Sequence, residues 1–184
     1  MRTSEHGVVL IIVLVFLEIY MLLSLAVLES DVFQTRMSHQ YWQKKQMMFA
    51  ANEVLRHAEL ELIHQIPPCV IPTTSSMDFA HKPLSWWQSG LSCVGNFQRL
   101  QYYYVVEALD KNACAYILQD LYGDTKKVNA SYYRITLLMT TTDGLSDLHR
   151  LIQSTVSKPD TQELTCTIGS HKVNVGRQSW RELV

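Results

Sequence analysis

The sequence predicts an α+β protein in which one long N-terminal helix packs on an antiparallel β-sheet head. No Gly or Pro occurs between residues 8 and 66, whereas Pro67 and Pro68 lack backbone donors and should end the helix. Beyond them, β-branched and aromatic runs alternate with turn signals that contain Gly or Asp. The chain has 184 residues and a formal net charge of −1, without the basic excess of a protein that binds nucleic acid directly.

The first half of the helix is predicted to span a membrane. Residues 8–28 are apolar except for Glu18 and Ser24, and a helix of this length covers roughly 32 Å, close to the thickness of a hydrocarbon core. Arg2 precedes the run, and no basic residue follows it before Arg36. This charge bias places the N-terminus in the cytoplasm and the remainder across the membrane.

The second half of the helix, 29–66, is predicted to be amphipathic. Its apolar residues recur at steps of three, four or seven, which makes one apolar stripe. The stripe consists of Phe33, Met37, Tyr41, Met48, Ala51, Leu55, Ala58 and Leu62. This half should therefore bury one face against the head.

The head, 67–184, is predicted to be mostly β. Its first part, 67–96, contains several Pro and Gly residues and should be an irregular connection, in which Trp86 and Trp87 cover the core of the head rather than contact a partner. Strands are predicted at 99–109, 113–119, 132–140 and 148–156, with turns at 122–124 and at Asp143-Gly144. The last of these turns is the strongest hairpin signal.

Several stretches of the chain together carry the signature of a family. They are residues 6–17, 28–30, 34–37 and 49–59 of the helix and, more loosely, 103–109, 132–136 and 151–155 of the head. In these stretches the chain resembles the minor pilins of type IV pili, of the PilX type. The resemblance implies a type IV pilin-like fold, a prepilin leader at residues 1–7, cleavage between Gly7 and Val8 by a prepilin peptidase, and N-methylation of Val8.

The function implied by the resemblance is that of a pilus subunit without enzymatic activity or cofactor. Such a subunit helps to prime type IV pilus assembly, sits at or near the pilus tip, and supports twitching motility, adhesion and DNA uptake. The implied partners are other minor pilins, the major pilin, a large tip adhesin and the prepilin peptidase. The chain would cross the bacterial inner membrane once with its head in the periplasm, and would reach the extracellular pilus tip after assembly.

Two positions in the apolar run bear on the place of this subunit in a filament. Pilins that build the shaft usually carry Glu four residues after the methylated terminus, where this chain has Ile12, and this departure favours a tip position. Glu18 is an ionisable group within a predicted span, which is costly and often functional. Either Glu18 meets a group of a neighbouring subunit, or it is protonated and tolerated; whether it replaces the carboxylate missing at Ile12 stays open.

All four cysteines, Cys69, Cys93, Cys114 and Cys166, follow the apolar run and should be oxidised in the periplasm. Three pairings are possible. We favour Cys69 with Cys93, which closes the irregular connection, and Cys114 with Cys166, which ties the last segment to the sheet. No metal site is expected, because the cysteines lack zinc-ligand spacing.

A weaker metal candidate lies on the helix, where His57, Glu61 and His64 share one face. Groups of this kind near a helix end are more often solvated. Two functional alternatives remain: a tip pseudopilin of a type II secretion system, and a single-pass periplasmic envelope protein in which Gly7 stays uncut. A secretory signal peptide cut after Ala26 is a further possibility for the N-terminal run.

Overall fold

The structure, a computed structural model, describes residues 6–65, 67–73, 76–109, 114–121, 124–141, 149–163, 166 and 169–183. Helix α1 extends over 59 residues, His6–His64, which confirms the predicted long helix. The helix ends just before the two prolines, and a lysine side chain from the sheet contacts its last turn. Lys158 Nζ donates a hydrogen bond to the Leu62 carbonyl at 3.0 Å, which satisfies one of the carbonyl groups that a helix end leaves without a partner.

The chain divides into two units, Met1–Gln46 and Met47–Val184. In the described part of the first unit, the large apolar side chains of residues 9–25 are 46% to 67% exposed. Among the residues that the structure describes, none of the helices combines the length and the apolar character needed to cross a membrane. The predicted membrane-spanning half is therefore not confirmed.

The second unit contains the end of α1 and the head. The head elements are β1 (Val70–Ile71), a 3₁₀ helix (Ser76–His81), α2 (Leu84–Trp87), β2 (Cys93–Phe97), β3 (Leu100–Ala108), β4 (Ala115–Leu121), β5 (Asp124–Thr141), β6 (His149–Glu163), β7 (His171–Lys172) and β8 (Gly176–Glu182). The four predicted strands correspond to β3, β4, β5 and β6. Strands β5 and β6 are longer than predicted.

The prediction that 67–96 is wholly irregular is wrong, because this segment contains β1 and most of β2. Strand β2 forms a hairpin with β3 through Gln98 and Arg99. Gln98 has a φ of 56°, a left-handed conformation that Gly or Asn usually supplies. The turn therefore has no composition signal in the sequence.

The predicted antiparallel sheet is also corrected, because the sheet is mixed. Strand β5 lies at its centre and pairs antiparallel with β6 on one edge and with β3 and β4 on the other. Strand β1 is parallel to β3, and β7 is parallel to β4. Both parallel strands have only two residues, too few to show a periodic pattern. Asp143, Gly144 and residues 122–123, where turns were predicted, lie outside the described residues.

One face of the sheet packs on the last part of α1, as the apolar stripe predicts from Met48 onward. The buried helix residues of this first core are Met47, Ala50, Ala51, Val54, Leu55, Ala58 and Leu62. They meet alternate residues of β3, β5 and β6: Tyr104, Val106, Ile135, Leu137, Met139, Ile152 and Val156. Because side chains alternate across a strand, the residues between these face the other side of the sheet.

A second core lies on that other side, under the 3₁₀ helix and α2. Trp87 is 1% exposed, and its ring lies 5.1 Å from the ring of Trp86 and 5.9 Å from that of Phe79. These rings pack over Val105 and Leu138. The prediction that the two tryptophans cover the core of the head is confirmed.

Two disulfides, Cys69–Cys93 and Cys114–Cys166, are present, in the pairing favoured from the sequence. Each disulfide contains one cysteine that comes shortly before a short parallel strand. Cys69 directly precedes β1, and Cys166 lies five residues before β7. The Cys69 carbonyl accepts a hydrogen bond from Val106 N at 3.0 Å, and the Cys114 carbonyl accepts one from His171 N at 2.9 Å. The disulfides thus hold at the sheet two segments that have little pairing of their own.

Candidate functional site

The predicted processing site lies at the start of α1. Gly7 and Val8 have helical backbones, and most of the predicted leader, 1–7, lies outside the described residues. Ile12 lies further along the same helix and is 49% exposed. Cleavage after Gly7 and methylation of Val8 stay predictions.

The two polar residues of the apolar run differ in how their polar atoms are satisfied. Ser24 Oγ donates a hydrogen bond to the Tyr20 carbonyl at 2.7 Å, one helical turn earlier, so its hydroxyl needs no external partner. Glu18 is exposed and has no hydrogen bond or ion pair with any other described residue. If this helix surface becomes covered, the carboxyl of Glu18 requires a partner from outside, whereas the hydroxyl of Ser24 does not.

A groove of about 280 Å³ lies between α1 and the β2–β3 hairpin, within the second unit. Its helix wall and its hairpin wall differ in chemistry, the first being acidic and the second aromatic. It is lined by Glu53, Val54, His57, Ala58 and Glu61 of α1 and by Asn96, Phe97, Tyr102 and Tyr104 of the hairpin. We refer to these nine residues as the helix–hairpin groove.

The helix wall carries Glu53, His57 and Glu61 at steps of four residues, so their side chains form one column. Glu61 is fixed by the opposite wall, because Tyr104 Oη donates a hydrogen bond to its Oε2 at 3.2 Å. Burial, and then the negative charge of Glu61, raise the pKa of Tyr104 above its ordinary value. Tyr104 therefore stays a neutral donor to this carboxylate at physiological pH.

The hairpin wall is built around a stacked pair of tyrosines. The rings of Tyr102 and Tyr104 are 6.4 Å apart, with 25° between their planes. Tyr102 lies over Gly95, its directly opposite partner on β2, where a Cβ atom would collide with the Tyr102 hydroxyl. Glycine at this position therefore lets the ring lie flat against the hairpin and form a side of the groove.

The structure separates the three residues of the weak metal candidate on the helix. His57 and Glu61 line the groove, but His64 does not. Within the described ranges, no group of three or more His, Cys, Asp or Glu is placed to hold a metal ion. The groove itself was missed, because it depends on a hairpin whose turn has no sequence signal.

A second feature that sequence analysis missed is a row of polar side chains on the face away from α1, in which Glu107, Thr136 and Gln153 are buried and Arg181 is exposed. Glu107 of β3 pairs with Arg134 of β5, at 2.7 Å between Oε2 and Nε. On the next strand, Gln153 Nε2 donates to Thr136 Oγ1 at 2.8 Å, and Arg181 Nη2 donates to Gln153 Oε1 at 2.6 Å. These groups satisfy one another, as buried polar groups must, and therefore stabilise the sheet.

The described residues thus include, as places for binding, the exposed apolar part of α1 with Glu18 and the helix–hairpin groove. The chain matches no family model, no curated protein and no solved structure. Its function is therefore inferred from its own residues.

Proposed function

We propose that the protein is a minor pilin of the PilX type, which helps to prime type IV pilus assembly and sits at or near the pilus tip. The proposal rests on the resemblance of the sequence to minor pilins, and one structural observation supports it. A single helix, α1, carries exposed apolar side chains over 9–25, interrupted by Glu18 and Ser24, and packs a buried stripe against the sheet from Met47 onward. In this proposal the apolar part of the helix is the anchor, and the other end of the helix connects it to the folded head.

The apolar part of the helix has an exposed surface that something other than the head must bury. Its large apolar side chains are about half to two thirds exposed, and a contiguous apolar surface of this size usually marks an interaction site. The apolar run continues in the sequence to Leu28, beyond the described side chains. Lipid before assembly and neighbouring helices in a filament would cover it in turn, since helices that associate within lipid expose no apolar surface to water.

The head has the features of a domain outside the cytoplasm. Both disulfides join segments of the head, and disulfides persist in oxidising compartments such as the periplasm. The weak charge bias around the apolar run favours the same side of the membrane.

Ile12 and Glu18 support a place at the tip. The carboxylate that a shaft subunit would offer to the methylated terminus of its neighbour is absent at Ile12. Glu18 lies within the same run without a partner among the described residues. A subunit at the tip has no subunit above it and does not need the contact between this carboxylate and a neighbouring terminus. Glu18 can instead pair with a group of another minor pilin.

The experiment that tests the proposal is mass spectrometry of the intact N-terminus, on protein from bacterial membranes with and without the prepilin peptidase. We expect a terminus at methylated Val8 that disappears without the peptidase. A Gly7→Leu variant should stay uncut, because a large side chain would replace glycine at the cleavage site. A Thr3→Ala variant, which also changes the leader, should be cut like the original chain.

Two other results would contradict the proposal. An intact terminus at Met1 in the presence of the peptidase would indicate an uncut envelope protein. A terminus at Val27 would indicate a secreted domain, and the helix would then have no part in a filament.

A further inference from the structure

The helix–hairpin groove combines two carboxylates with three aromatic rings and contains no Lys or Arg among its lining residues. Its volume of about 280 Å³ lies at the lower end of the roughly 300–1,000 Å³ of typical small-molecule sites. A single long side chain fills such a groove better than a larger ligand. We propose that the groove binds the side chain of one lysine or arginine presented by a partner protein.

The charge of the groove favours a cation. Glu53 is exposed and makes no ion pair with any described residue, and Glu61 accepts its hydrogen bond from a neutral tyrosine. Neither carboxylate is therefore neutralised by a neighbouring cation. A groove that carries one sign of charge raises the local concentration of groups of the opposite sign.

The aromatic wall favours the same kind of group. A cation over the face of a tyrosine is attracted by the ring, and the attraction grows as water is excluded. This chain uses such contacts elsewhere, for example between Lys158 and Tyr133 and between Lys127 and Tyr116. The rings of Tyr102 and Tyr104 carry no such contact with a described cation, so they remain available to a cation from outside.

The spacing of the carboxylates argues against a metal ion. Glu53 and Glu61 are eight residues apart on α1, which corresponds to about 12 Å along the helix. Two carboxylates at this separation do not ligate one ion, whose ligands lie within about 2.6 Å. A guanidinium or ammonium group would instead meet Glu61 beside Tyr104, while Glu53 attracts it from two turns away.

The proposal does not depend on the pilin assignment, and its test uses small probes on the full chain in detergent micelles. Binding is measured by two-dimensional NMR with N-acetyl-arginine amide, N-acetyl-lysine amide and, as an uncharged shape match, N-acetyl-citrulline amide. We expect saturable shifts of the amides of Asn96, Phe97 and Tyr102 with the arginine or the lysine probe. The dissociation constant should be at least about tenfold lower than for the citrulline probe.

Three variants locate the binding. Glu61→Gln keeps an acceptor for Tyr104 but removes the charge, and should weaken the cationic probe at least about fivefold. Tyr102→Leu should weaken it as well, through loss of the ring. Asp78→Asn removes an exposed carboxylate from the 3₁₀ helix on the opposite face of the sheet and should change nothing.

Three outcomes would overturn the proposal. The first is equal affinity for the citrulline and the arginine probe, which would show that charge has no role. The second is unchanged affinity in both Glu61→Gln and Tyr102→Leu. The third is the absence of any saturable shift at the groove with either cationic probe.

Discussion

Glu107 and Arg134 lie directly opposite each other on β3 and β5 and form a two-pronged ion pair. Arg134 Nε and Nη2 donate to the two carboxylate oxygens of Glu107 at 2.7 and 2.9 Å. The Glu107 side chain is fully buried, whereas that of Arg134 is 14% exposed. A shift of one residue between β3 and β5 would move one partner to the opposite face of the sheet, so the pair also specifies the register.

We predict that Glu107→Ala destabilises the head by about 3–5 kcal/mol, because it leaves the Arg134 guanidinium buried without its carboxylate. The double variant Glu107→Leu/Arg134→Met should lose less than Glu107→Ala alone, since neither charge of this pair remains in the sheet. Urea unfolding of the full chain in detergent micelles, followed by tryptophan fluorescence, measures both. The matched control is Glu182→Gln, which breaks the more exposed Arg150–Glu182 pair and should cost less than about 1 kcal/mol. A double variant as unstable as Glu107→Ala would contradict the argument.

The second prediction concerns the stripe that docks α1 on the sheet. Leu55 is 0% exposed in the first core, while Leu60, five residues later on the same helix, is 51% exposed. Leu55→Ala should cost about 2–5 kcal/mol through lost burial and a residual cavity. Leu60→Ala should cost less than about 0.5 kcal/mol, as most surface changes do. The same unfolding assay compares them, and equal losses would mean that the helix packs through another face.

The long helix, its buried stripe and the four main strands could be predicted from the sequence because each depends on local signals. An uninterrupted helix needs only the absence of Gly and Pro up to Pro67, and its buried face follows from a 3.6-residue period. The disulfide pairing could be favoured because Cys69 and Cys93 bracket one irregular segment. These features do not require knowledge of which strands are neighbours.

The features that sequence analysis missed depend on contacts between distant segments. The β2–β3 turn has Gln98 at a positive φ, which gives no recognisable turn signal. The groove exists because that hairpin brings Tyr102 and Tyr104 beside Glu61. A charged residue such as Glu107 would be expected to face solvent, and its burial is explained only by its position opposite Arg134. Glu61 and Glu107 are thus explained by partners on other segments and not by their own neighbours in the chain.

The third prediction is a dependence of stability on alkaline pH. Burial and Glu61 raise the pKa of Tyr104 in the folded protein above its ordinary value of 10.0, so the unfolded chain loses this proton first. The resulting stability is fully present below about pH 10 and is lost as pH rises above it. Urea midpoints between pH 8 and pH 11 should therefore fall less steeply in Tyr104→Phe than in the original chain. Tyr41→Phe, at an exposed position on α1, should follow the original curve, and identical slopes for all three chains would refute the assignment.

The last prediction separates the two polar residues of the apolar run. For the proposed minor pilin, Glu18→Leu should leave membrane insertion intact but lower the incorporation of the subunit into pili, because it removes the one side chain of the pair that lacks an internal partner. Ser24→Leu should leave incorporation unchanged, since the Ser24 hydroxyl is satisfied by the Tyr20 carbonyl within the helix. Quantitative immunoblotting of membranes and of sheared pili measures insertion and incorporation separately. Unchanged pilus number and composition in Glu18→Leu would mean that the carboxyl has no partner that incorporation requires. An equal loss in Ser24→Leu would mean that the helix surface is packed at both positions and that charge has no part.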